Sequence, residues 1–140
     1  MPRFAYTKIA TEVLPDWELS LVFVGPKRAR ALNAQLRDAT YTPNVLSYAL
    51  GARSGEILIC LQEAEKQAAS YDMGQREFVL YLFIHGLLHL KGMAHSVTME
   101  RCERKLLAQF AKGPARAYSH AQTHRSRNRH RHVSGKAGRR

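Results

Sequence analysis

At 140 residues, 45% of them hydrophobic, the chain can build one domain with a core and offers no boundary for a second of comparable size. Its net charge of +11 is unevenly placed: residues 1–111 hold 13 Lys and Arg against all 11 Asp and Glu, while residues 112–140 hold 9 Lys and Arg and no acid. The longest apolar run, Phe78–Ile84, falls far short of the roughly 18–20 residues that cross a bilayer, and Cys60 and Cys102 form no CxxC pair, which argues against a membrane span, a disulfide framework and a thiolate metal site.

Residues 1–18, with Pro2 and Pro15, support at most a short strand or an irregular lead-in, and MPRFAYTKIATEV has no signal-peptide apolar region. A soluble cytoplasmic protein is the expectation. The block ELSLVFVG from Glu18, closed by Gly25-Pro26, reads as a buried strand. In PKRARALNAQLRD, Pro26 suits a first helical turn, and Ala29, Leu32, Ala34 and Leu36 supply an apolar face. Asn44–Leu50 has strand propensity, GARSG is a turn, and Glu56–Leu61 is a third short apolar run that pairs as a hairpin or return strand. Gln62–Tyr71 is rich in helix formers, and Asp72–Gln75 interrupts it before a further helix from about Arg76 to Lys91. That helix is apolar on nearly every side between Phe78 and Leu88, as suits one enclosed by the rest of the fold.

Ser96 or Thr98 can cap a last helix, VTMERCERKLLAQFAK, with Met99, Cys102, Leu106 and Phe110 on one face and charges opposite. The expected class is α+β: a single small mixed β-sheet packed against several helices, with a central buried histidine-bearing helix, over residues 1–112. Gly113-Pro114 then breaks the pattern, and residues 113–140 mix Arg, His, Ser and Gly with Val133 as the only aliphatic side chain beyond alanine. Such a segment buries too little apolar area to offset the entropy of ordering it, so a basic, disordered arm suited to RNA phosphates is expected.

The chemistry concentrates in HGLLHLKGMAH, where His85 and His89 lie one helical turn apart, about 5–6 Å between Cβ atoms. Gly92 can end the helix in a left-handed conformation and return His95 to the same point. Three neutral imidazoles suit Zn²⁺, and the fourth position left open marks a catalytic rather than a structural site, where bound water becomes acidic near neutral pH. The four histidines of the tail, His120, His124, His130 and His132, have no such frame. Zinc peptidases share the histidine spacing but place a glutamate after the first histidine as general base, and here that residue is Gly86. Loss of the base removes a factor of about 10²–10⁴ in rate, which leaves peptide hydrolysis as a minor alternative.

HGLLHLKGMAH resembles the HGxLHLxGyDH signature of the YbeY family of bacterial zinc-dependent endoribonucleases, and LNAQLRDATYTPNVLSYAL and GEILIC are similar to two further stretches of that family. The resemblance spans roughly residues 18–111 and implies a single-strand-specific metal-dependent endoribonuclease. It implies a role in maturation of the small-subunit rRNA 3′ end and in ribosome quality control, with ribosomal proteins or an assembly GTPase as further partners. By the same resemblance His85, His89 and His95 hold zinc and Arg37 faces the substrate, where a guanidinium can clamp a phosphodiester bidentately; an arginine ending a helix also answers the helix dipole. Ser47 offers either a hydroxyl toward the cleft or a plain strand residue. The chain departs from the family at Ala94, Met93, Asn44 and Glu56; the loss of a carboxylate at Ala94 leaves a backbone carbonyl to orient the nearby imidazole. A non-catalytic ribosome-assembly factor, binding RNA through the arm around a structural metal, is the alternative from another class.

Overall fold

A computed structural model describes residues 3–111. The elements run α1 (Arg3–Val13), β1 (Glu18–Val24), α2 (Pro26–Arg37), β2 (Val45–Gly51), β3 (Ser54–Cys60), α3 (Leu61–Ala68) with a 3₁₀ turn over Ala69–Tyr71, α4 (Gln75–Leu90) and α5 (Val97–Phe110). The three strands form one mixed sheet in the order β1-β3-β2, with β1 parallel and β2 antiparallel to β3. The α+β class and the central histidine helix are as expected. No helix among the described residues is long and apolar enough to cross a membrane.

Every residue of α4 from Phe78 to Leu88 is buried, because α1, α3, α5 and one face of the sheet surround it. The sheet meets α4 through alternate positions of β3, of which Ile57 and Ile59 are fully buried, and α4 can come that close because Gly86 faces Ile57. A Cβ on residue 86 would lie 3.2 Å from Ile57 Cγ2 and 3.3 Å from its Cδ1. A cluster of Tyr71, Phe78 and Tyr81 continues the core, with ring centroids 4.7 and 5.8 Å apart along the series.

Three local expectations are corrected. The N-terminal segment is a helix, not a strand or an irregular lead-in. Tyr6, Ile9, Ala10 and Val13 recur at helical spacing, Ile9 and Val13 are buried, and Tyr6 stacks edge-on against Phe83 at 5.0 Å. Strand β1 is an edge strand and not a buried one: Leu19 and Leu21 pack on the core while Phe23 stays 45% exposed. On α2 the inward face is Ala29 and Asn33, whereas Ala34 and Leu36 are exposed. Asn33 donates from Nδ2 to the Tyr41 carbonyl at 2.9 Å and so ties α2 to the loop that feeds β2. The arm, residues 113–140, lies outside the described residues.

Candidate metal centre

The last turn of α4 ends in a capping arrangement that its sequence dictates. Gly92 takes φ +104°, its N–H donates to the His89 carbonyl at 2.9 Å, and the Met93 N–H donates to the Leu88 carbonyl at 3.0 Å. These two crossed bonds are the Schellman pattern, in which glycine is the residue that tolerates the left-handed position. Met93 then packs on the core, and the chain returns past α4 to Ser96, whose Oγ accepts the Met99 N–H at 3.1 Å and starts α5. His95 sits in this short return, held between a helix end and a helix start.

The result is a triangle of imidazoles. Ring centroids lie 4.6 Å apart for His85–His89, 5.0 Å for His85–His95 and 4.9 Å for His89–His95. One nitrogen from each lies within 4.8 Å of the others, so the three side chains are able to hold a metal ion. His85 is buried, while His89 and His95 are partly exposed. The group therefore has a sealed side toward the core and an open side toward solvent.

The hydrogen bonds of the ring nitrogens sharpen this fit. His85 Nδ1 meets the Glu103 carboxylate, and His89 Nδ1 meets the Met93 carbonyl at 3.1 Å. Both partners accept, so both Nδ1 atoms donate, which leaves the Nε2 atoms of the two rings facing each other. Those two Nε2 atoms are 3.1 Å apart. Two nitrogens on a tetrahedral zinc at about 2.0–2.1 Å are themselves roughly 3.3 Å apart, close to this spacing. The donor set and its spacing thus fit a divalent ion of zinc type.

The Met93 carbonyl orients the His89 ring, and Ala94 has no side chain that could accept from an imidazole. The carboxylate that does serve the centre comes from elsewhere: Glu103 on α5, 1% exposed. By sequence it groups with the solvated charges of that helix. The signal that sets it apart is its position, since Met99, Glu103 and Leu106 share the i, i+4, i+7 stripe that α5 turns inward. The Glu103 charge adds to burial in pushing the Tyr81 and Tyr71 phenols upward, although burial contributes most to both.

Arg37 is the final, half-buried residue of α2, and Ser47 lies in β2 opposite Ile57, on the strand face turned to α4. The ring and nitrogen distances gather the three histidines; Arg37 and Ser47 are placed by their elements alone. Asn44, next to β2, is buried and donates from Nδ2 to Gln67 Oε1 at 2.9 Å, while Gln67 Nε2 donates to Glu63 at 2.9 Å. A neutral amide there completes a chain that ends on a carboxylate. On the opposite sheet face Glu56 accepts from Tyr48, and Ser20 donates to it at 3.4 Å.

The family model described as "Endoribonuclease YbeY" matches residues 3–111. Among curated relatives, the endoribonuclease YbeY of Mesoplasma florum is 33% identical over 114 residues, covering 74% of this chain and 64% of its own length. That of Desulforamulus reducens is 35% identical over 111 residues, covering 71% of each. The chain thus spans about two thirds of the length of these relatives. A Thermotoga maritima protein solved in solution shares the fold, with a TM-score of 0.58 at 23% identity and 77% of each chain covered. The chain belongs to the endoribonuclease YbeY family.

Proposed function

We propose that the protein is a metal-dependent, single-strand-specific endoribonuclease that acts in the cytoplasm on the 3′ end of small-subunit rRNA and in ribosome quality control. The observation that carries the reading is the three-histidine group with its open side, in a chain of this family. His85, His89 and His95 would hold zinc, which would supply Lewis acidity and lower the pKa of a water. His85 and His89 offer Nε2 because their Nδ1 protons are committed to Glu103 and to the Met93 carbonyl. Arg37 binds the scissile phosphate through two N–H groups and stabilises the charge that grows on its oxygens, and Ser47 orients the strand by a hydroxyl hydrogen bond. Ribosomal proteins or an assembly GTPase bring the enzyme to its substrate.

Replacing His85 and His89 together with alanine is expected to remove stoichiometric zinc and cleavage of a structured rRNA fragment. Retention of one zinc per chain in that double variant overturns the ligand assignment. The charge of the arm favours a second reading, a non-catalytic RNA-binding factor, because residues 112–140 carry 9 Lys and Arg and no acid. Each contact to a phosphate adds about 0.7–0.9 to the salt slope of log affinity. Deleting residues 113–140 decides between them: an enzyme keeps zinc-dependent cleavage of a short single strand, whereas a tail-only binder loses its rRNA affinity and has no cleavage to keep.

A further inference from the structure

The carboxylate of Glu103 is the one buried charge in the contact between α4 and α5 among the described residues, and it meets His85 Nδ1, the ring nitrogen other than the one that faces His89. A carboxylate enclosed to this degree is costly in apolar surroundings unless a donor meets it, and exchange of such a pair, both partners together, for apolar side chains of similar volume is commonly neutral or stabilising. Packing alone therefore does not account for an acid at this place. From the Glu103–His85 contact together with the facing Nε2 atoms of His85 and His89, we infer that Glu103 is a positioning residue. It holds the Nδ1 proton and the ring plane of His85 so that Nε2 is presented to the metal, and thereby sets the metal affinity of the centre.

This deepens the proposed metal site and rests on it. Glu103 touches neither RNA nor the metal; it acts through His85. Its negative charge also makes the His85 nitrogen a stronger donor, a contribution that a neutral amide of the same shape lacks. Because Glu103 sits on α5, the site is assembled from two helices, although all three histidines come from α4 and the return that follows it.

The test is zinc competition against a chromophoric chelator, using the full chain with Glu103→Gln and Glu103→Leu, beside melting of each metal-free protein. The zinc dissociation constant is expected to rise roughly 10- to 100-fold, more for leucine than for glutamine. The metal-free melting temperature is expected to hold in Glu103→Gln, whose amide oxygen still accepts from His85 Nδ1, and to fall in Glu103→Leu, which leaves that N–H buried without an acceptor. The visible absorption of the Co²⁺-loaded protein, which reports coordination geometry, is expected to shift in Glu103→Gln. Zinc affinity within twofold of the parent in the glutamine variant overturns the inference. So does an affinity loss matched by a fall of several degrees in the metal-free melting temperature of that variant, which assigns Glu103 to packing. If the parent chain binds no zinc, the metal reading itself falls, and this inference with it.

Discussion

Gly86 occupies the place where zinc peptidases carry their general base, and its surroundings explain why a glutamate cannot be restored there. The α4 backbone at this residue lies against Ile57, the fully buried centre of β3, so a side chain on residue 86 points into the sheet and not among the histidines. Alanine in place of glycine gains about 0.5–1 kcal/mol of helix propensity. Against this stands a contact of 3.2 Å to a fully buried, β-branched side chain, an overpacking of about 1–3 kcal/mol. Gly86→Ala is therefore expected to lose about 1 kcal/mol net, a fall of roughly 4–8 °C in melting temperature. Gly86→Glu is expected to lose more and to cleave no casein; proteolysis that a zinc chelator stops would reverse the assignment. The histidine triangle is legible in the sequence alone, because i, i+4 and a glycine turn are local geometry. The lack of a base is legible there too, but its cause, a sheet pressed against α4, is a long-range contact that the spacing of residues in α4 does not encode.

At the scale of elements, α5 links the fold to the site. Its start is the Ser96 side chain, accepting the Met99 N–H, while Thr98 is exposed within the first turn. Ser96→Ala is expected to lose about 1 kcal/mol of stability. It should also weaken zinc binding several-fold, since Ser96 follows His95 directly and starts the helix that carries Glu103. Thr98→Ala should change the melting temperature little and the zinc affinity not at all. Equal effects in the two variants would mean that the cap is shared. The sequence reveals this helix and both cap candidates but hides Glu103, because a charge among Arg101, Arg104 and Lys105 looks like part of a solvated face until the apolar stripe through Met99 and Leu106 is traced. The N-terminal helix is hidden for a related reason: Pro2 and Pro15 draw attention to the ends of the segment and away from the Tyr6, Ile9, Val13 spacing between them. Strand β1 reads as buried because its apolar run gives no sign of which strand will stand at the edge; the sheet order settles that, and it depends on long-range pairing.

Across the whole molecule, the core is built around α4 with aromatic side chains whose hydroxyls are kept from water. Burial raises the phenols of Tyr6, Tyr71 and Tyr81, and Tyr48, beside the Glu56 carboxylate, is pushed up to about 12 by burial first and by that carboxylate second. In the unfolded chain all of them ionise near pH 10. A group whose pKa is raised by folding lends stability that is complete below its unfolded value and is lost as pH rises through its folded value. The fold should therefore hold a level melting temperature on the approach to pH 10 and lose it steeply above, as the unfolded state gains phenolates that the folded state refuses. Lysine amines also titrate in this range, so the aromatic share is isolated by Tyr81→Phe: the hydroxyl of a fully buried ring is removed, and the alkaline slope should flatten even if the melting temperature at neutral pH is lower. Phenolate absorbance followed in parallel should show these raised phenols ionising together with unfolding and not near pH 10. Their ionisation near pH 10, with melting unchanged through pH 11, would mean that water reaches these rings and that the core about α4 is looser than its packing implies.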